Sequence, residues 1–243
     1  MIMEVSSATD IGLSREKNQD SCIALRNGSG DLLALVCDGI GGSNAGEIAS
    51  AKAISYFERE FPKTGPFKSL KDAKDQLDRM VKMANSYVFE LSKSDYRYRG
   101  MGTTLTGILI TSFGNLSINL GDSRVYGFVD GKCFHLTSDH TLVNRMLENG
   151  EITYEESLNH PKRHYLLKAL GVCGYAETDI HKVKDMDYYL VCSDGLHGYV
   201  EEKQILSIVT DESLSVERKT KELVNLALLK GGYDNITVVL IRK

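Results

Sequence analysis

Short apolar runs of strand length, most bounded by a glycine, asparagine or aspartate, constrain this chain more than any other feature. Leu32–Cys37, Leu105–Thr111, Leu116–Leu120, Val125–Val129, Tyr188–Cys192 and Ile236–Ile241 are rich in Val, Ile, Leu and Tyr. Their length and content predict strands rather than helices. Asp130-Gly131 stands between Val125–Val129 and Lys132–Leu136 and suits a type I′ hairpin, so the stretch from Asn115 to Thr137 reads as a meander.

Helical spacing occupies other segments. Ile48, Ala51, Ile54, Phe57 and Phe61 fall three or four apart within 45–61, and a second such series runs from Leu70 to Leu91. A third, with Val216, Leu223, Val224, Ala227 and Leu228, stops before Gly231-Gly232. The order is strands, a helix pair, consecutive strands, a mixed segment, a strand, a helix and a final strand. That order lacks regular βαβ alternation and predicts an α+β fold of antiparallel sheets covered by helices.

With 243 residues, 42% of them hydrophobic, the chain can bury one sizeable core. No linker interrupts it: two of its three prolines, Pro62 and Pro66, share one loop, and there is no repeat or low-complexity tract. A net charge of −4 argues against nucleic acid as the main partner. The five cysteines are scattered and form no C-x-x-C pair, which argues against a zinc or disulfide framework and fits a reducing cytoplasm. MIMEVSSATD has neither the basic nor the apolar part of a signal peptide. No apolar stretch approaches the roughly 20 residues a bilayer requires. A soluble, cytoplasmic protein is expected.

Carboxylates interrupt the apolar runs at their ends. Asp38 follows LLALVC, Asp194 follows YYLVCS, Asp122 follows SINLG, Asp234 precedes NITVVLI, and Asp20 closes REKNQD. A carboxylate at the edge of a buried strand is costly to keep ionised, and several together repel one another. A divalent cation answers both problems, and an all-oxygen set without His or Cys selects Mg²⁺ or Mn²⁺ over Zn²⁺. Any single Asp-Gly is first a turn dipeptide, as expected for Asp130-Gly131. Asp38-Gly39 and Asp194-Gly195 differ because each ends an apolar run without closing an obvious hairpin. Two cations a few ångströms apart can lower the pKa of a bridging water and hold phosphoryl oxygens for in-line attack. Arg15 is a candidate phosphate ligand because guanidinium matches phosphate bidentately, against the alternative of a solvated surface arginine.

Eight ordered blocks carry a resemblance to a known family. They are TDIGLSREKNQDS at 9–21, VCDGIGGSNAGEIAS at 36–50, GMGTTL at 100–105, LGDSRVY at 120–126, LTSDHTLV at 136–143, HPKRHYLLKALG at 160–171, LVCSDGL at 190–196 and YDNITVV at 233–239. Nearly end to end, the chain resembles the metal-dependent PP2C-type (PPM) serine/threonine protein phosphatases, in particular their compact bacterial members. The resemblance implies a four-layer α-β-β-α sandwich filling residues 1–243 as a single domain, with a flap at about 144–167 beside the site. It implies hydrolysis of phosphoserine and phosphothreonine on proteins by a water or hydroxide bridging a binuclear Mn²⁺ or Mg²⁺ centre, with room for a third ion. It makes Asp38 the bridging ligand, with Asp194 and Asp234 on one cation and the Gly39 carbonyl on the other. Asp20 would act through a metal-held water, Arg15 would bind the substrate phosphate, and Asp122 with Asp194 would hold the third ion. Asp20, Asp38, Asp194 and Asp234 form the implied catalytic set. A monomer in signalling, opposing a Ser/Thr kinase and binding neither nucleic acid nor membrane, is implied as well.

Two positions depart from the pattern. Gln19 stands where many relatives have Glu, removing a charge near the cations. Ile40 stands where animal members have a histidine proposed as general acid, so a metal-held water is expected to protonate the leaving alkoxide. His140 and His160 are read as structural.

Other readings fit less well. DGIGGSNAG before a helix, with Glu58 about twenty residues later, loosely follows a dinucleotide fingerprint. Asn44 occupies its third glycine position, and no G-K-[ST] follows. A catalytically dead member is disfavoured because every implied metal aspartate is present. A phosphatase dedicated to one regulator, such as an anti-anti-sigma factor, is disfavoured by the Arg15 motif and the flap-like block.

Overall fold

The computed structural model describes residues 3–40 and 45–243, so 41–44, within the second block and including Asn44, lie outside the described residues. Two antiparallel sheets form the centre. Strands β1 (Glu4–Asp10), β7 (Arg124–Val129), β8 (Lys132–His135), β10 (Tyr188–Cys192) and β11 (Ile236–Arg242) make a five-stranded sheet in the order β1-β11-β10-β7-β8. Strands β2 (Asp20–Arg26), β3 (Leu32–Ile40), β5 (Leu105–Thr111), β6 (Gly114–Leu120) and β9 (Asp179–Val183) run in the order β2-β3-β5-β6-β9, and the two-residue β4 (Gly102–Thr103) pairs with the end of β3.

Side-chain alternation decides which core each residue joins. On β3, Leu32, Ala34 and Val36 enter the core between the sheets, while Leu33, Leu35 and Cys37 face the other way. There they meet helices α1 (Gly46–Glu60) and α2 (Leu70–Ser94), through Ala49, Ala53, Phe57, Leu77, Val81 and Val88. On β11, Val239 and Ile241 join the inter-sheet core, whereas Val238 and Leu240 pack under α6 (Glu202–Val209) and α7 (Val216–Leu229) through Ile205, Val209, Leu223 and Ala227. Both faces of the central strands are covered, so they read as unbroken apolar runs rather than alternating ones. The predicted four-layer α-β-β-α sandwich is what forms.

Besides the two-residue β4, the strands β1, β2 and β9 were not legible in advance. Each is an edge strand with half-exposed, mixed polar positions, so its composition lacks the apolar signature. The expected meander over 115–137 is corrected. β6 and β7 belong to different sheets, and within that stretch the hairpin is formed by β7 and β8, through Asp130 and Gly131 with φ of 51° and 68°. The chain crosses between sheets at Gly121, whose φ of 126° and closeness to Thr104 exclude a side chain.

Short helices α3 (Leu142–Glu148) and α4 (Tyr154–Leu158) fill the segment left mixed by sequence, and α5 (Asp194–His197) follows β10. α4 starts with a full capping box between Thr153 and Glu156. The excursion carrying α3 and α4 is pinched at its base, where Leu142 N–H donates to the Tyr165 carbonyl and Leu167 N–H to that of His140.

Candidate active site

Antiparallel pairing brings alternate strand ends to one edge of the sandwich. Asp20 opens β2, Asp38 lies near the end of β3, Asp122 sits between β6 and β7, Asp194 starts α5 after β10, and Asp234 precedes β11. Four of these, Asp38, Asp122, Asp194 and Asp234, line one cleft of about 870 Å³ together with Arg15, Gly39 and Ile40. Asp20 does not line it. It lies directly opposite Asp38 in the β2–β3 register and is only 8% exposed. Like charges facing each other across a strand pair are destabilising unless compensated.

Burial pushes the Asp38 and Asp122 carboxyls well above the usual carboxylate range, and the neighbouring aspartates push further. The same two causes push Asp20 up to about 7, against a hydrogen bond from Ser193, and Asp194 up to about 6, against the Arg15 charge and an Asp38 hydrogen bond. Asp20 Oδ2 accepts from Ser193 Oγ at 2.7 Å, while Oδ1 is buried with no partner, as is Asp194 Oδ1. Asp234 is engaged: Oδ2 accepts from Arg15 Nη2 at 2.7 Å and Oδ1 from the Asn235 N–H at 2.8 Å. Arg15, expected on phosphate, is thus partly committed to a carboxylate, although its side chain is 52% exposed in the cleft.

Among the described residues, no three His, Cys, Asp or Glu side chains close into a ready-made cation cage. The fit to divalent cations rests instead on donor chemistry. The cleft gathers hard oxygen donors, and two carboxylates nearby have a buried oxygen without a partner. At Gly39 an added Cβ would lie 2.2 Å from the Gly46 carbonyl oxygen, so only glycine lets β3 meet the start of α1 here.

Sequence reading missed the groups that hold these aspartates. Thr104 N–H and Thr103 Oγ1 donate to the Asp38 carbonyl, Thr104 Oγ1 accepts the Asp38 N–H at 2.9 Å, and Thr104 also bonds Ser123 beside Asp122. The GMGTTL block, quoted without a role, contains this brace. Two histidines clamp the turn at Asp122. His140 Nδ1 accepts the Gly121 N–H at 3.1 Å while Nε2 faces Asp179 at 3.0 Å, and half-buried His197 meets the Asp122 carbonyl through Nε2 at 2.9 Å. His140 is therefore structural, as read; His197 carried no sequence signal. His160 is local too, its Nδ1 accepting the Lys162 N–H.

Asn235 is the other omission. Its amide donates to the carbonyls of Ile11 and Lys17, and its Oδ1 accepts the Gln19 N–H, which anchors the loop bearing Arg15. Its place in YDNITVV was the only available signal. His164, from the excursion after α4, enters the cleft with Nδ1 3.9 Å from Asp194 Oδ2 and accepts from Arg163 Nε at 2.8 Å. Ile40 lines the cleft without a titratable group.

Comparison with known proteins bears on this arrangement. The family profile described as Protein phosphatase 2C matches residues 14–229. Protein phosphatase PhpP of Streptococcus pneumoniae is 35% identical over 242 residues, covering 98% of this chain and 97% of that protein. Serine/threonine phosphatase Stp1 from Staphylococcus aureus superposes with a TM-score of 0.93 at 31% identity, covering 100% of this chain and 96% of Stp1. The catalytic domain of the serine/threonine protein phosphatase PstP, solved in complex with two manganese ions, superposes with a TM-score of 0.83 at 31% identity, covering 99% of this chain and 97% of that one. With a family match over most of its length and relatives covered nearly end to end, this chain belongs to the protein phosphatase 2C family.

Proposed function

We propose that this phosphatase hydrolyses phosphoserine and phosphothreonine on proteins at a two-cation Mn²⁺ or Mg²⁺ centre, opposing a Ser/Thr kinase in the cytoplasm. The observation that carries the reading is the meeting of Asp38, Asp122, Asp194 and Asp234 with Arg15 in one cleft. The manganese ions in the PstP complex support the choice of cation. Asp38, Asp194, Asp234 and the Gly39 carbonyl would hold two ions, and Asp122 with Asp194 a third. When bound, such cations supply an activated water and positive charge for the phosphoryl oxygens.

The chain's own groups perform the remaining tasks. Arg15 orients the phosphoryl group through its guanidinium, and Asp234 holds that guanidinium in place. Thr103 and Thr104 fix the Asp38 backbone, so the carboxylate is positioned before substrate arrives. Asp20, buried behind Asp38, adds negative charge that favours a cation at the cleft. The excursion over about 144–167 acts as a flap over the adjoining groove, which Asn144, Tyr154, Leu158 and Arg163 help line.

Hydrolysis of a chromogenic phosphate ester and of a phosphopeptide panel with Mn²⁺, Mg²⁺ or chelator tests this. Turnover should require cation, and Asp38→Ala should lower it by at least about a thousandfold, whereas loss of an ordinary turn aspartate costs only about 1 kcal/mol of stability. Cation-independent turnover, or full activity in Asp38→Ala, would overturn the reading. Turnover of one phosphoprotein alone would favour a dedicated phosphatase.

A further inference from the structure

Tyr199, just after α5, and Tyr233, just before Asp234, stack at the rim of the cleft with ring centroids 5.4 Å apart and planes tilted by 42°. Tyr233 is 56% exposed, yet its ring lies against the backbone and the Tyr199 ring. A Cβ on Gly231 would lie 2.2 Å from Tyr233 Cε2, so the ring lies over the bare Cα of that glycine, whose φ is 121°. Gly232 repeats the device: a Cβ there would meet Leu13 Cγ at 2.9 Å, and Leu13 is 72% exposed. Two consecutive glycines therefore hold two apolar side chains against the backbone beside the Arg15–Asp234 pair. A core needs no such aromatic in water, and solvation does not order one.

We infer that the Tyr199–Tyr233 pair, extended by Leu13, is a subsite for an apolar or aromatic side chain flanking the phosphorylated residue of a protein substrate. The inference rests on the phosphatase reading above. Its occupant follows from position and chemistry. Tyr233 adjoins Asp234, which holds Arg15, so a phosphate gripped by Arg15 places the next one or two substrate residues within reach of the rings. Charged groups of both signs, Asp194 and Asp234 with Arg15 and Arg163, act on Tyr199, so no single charge sign marks the flanking residue. The ring faces choose it, since aromatic rings reward a flat or apolar partner beyond simple burial.

The test uses the full chain loaded with Mn²⁺ and phosphothreonine peptides differing only by Phe, Gly or Asp at each flanking position. The wild type should turn over the best Phe peptide with kcat/KM roughly threefold to tenfold above its Gly counterpart, the range expected of one aromatic contact. Tyr233→Ala should reduce that preference to below about twofold, through KM, while Tyr233→Phe retains it. Equal kcat/KM for Phe and Gly peptides in the wild type, or an undiminished preference in Tyr233→Ala, overturns the subsite alone. No turnover of any phosphopeptide by the wild type overturns the activity itself.

Discussion

Asp20 and Asp38 face each other across β2 and β3, and Asp20 stays buried with one oxygen unpartnered. Such a group takes up a proton more readily in the folded protein than in the unfolded chain. Its folded pKa, pushed up to about 7, lies above the unfolded value near 4, so its contribution is full below pH 4 and is lost as pH rises through 7. In chelator, Asp20→Asn should therefore gain stability relative to the wild type between about pH 4 and 7, by an amount on the order of 4 kcal/mol. Denaturant titrations at the two ends of that window measure it, and a constant difference between the proteins would refute the argument. The suspicion that these aspartates belong together was legible because each interrupts an apolar run. That Asp20 lies behind the cleft while Asp122 lines it was not, since strand ends say nothing about which side of a sheet edge a carboxylate occupies.

Among the elements, the loop over 11–19 depends on one side chain at the start of β11. Asn235 gives it three hydrogen bonds from a buried position. Asn235→Ala leaves those backbone groups without their partner, a loss of about 2–4 kcal/mol by the cost of unsatisfied buried polar groups. Amide exchange in 11–19 should quicken, and activity should fall as Arg15 loses its mooring; unchanged exchange there would show that the loop is held by other means. The central strands β3, β5, β10 and β11 and the helices α1, α2 and α7 were legible because their apolar periodicity is strong. Edge strands β1, β2 and β9 were not, because half-exposed positions tolerate polar residues. The short helices α3, α4 and α5 span too few turns to show a period.

Across the whole molecule, three cores separate four layers, and the middle core sets how the two sheets lie on each other. Ile241, fully buried there with Tyr189, Val191 and Val239, lies at the far end of β11 from Asp234. Ile241→Ala should cost about 2–5 kcal/mol of stability while leaving KM for a small phosphate ester unchanged. Thermal unfolding and steady-state kinetics check the two halves of that statement, and a KM shift would mean that the inter-sheet packing reaches the site. By itself the sequence determined the inner strands, an α+β class of antiparallel sheets covered by helices and the hard-oxygen character of the site, because period, turn chemistry and residue type act over short stretches of chain, while the four-layer sandwich followed from the family resemblance. Only the tertiary structure decided that β6 and β7 part into different sheets, that Arg15 meets Asp234 across 219 positions, and that Tyr233 lies over Gly231 beside Tyr199. Those outcomes depend on sheet pairing and layer packing between distant segments, where local sequence carries no information on partner or register.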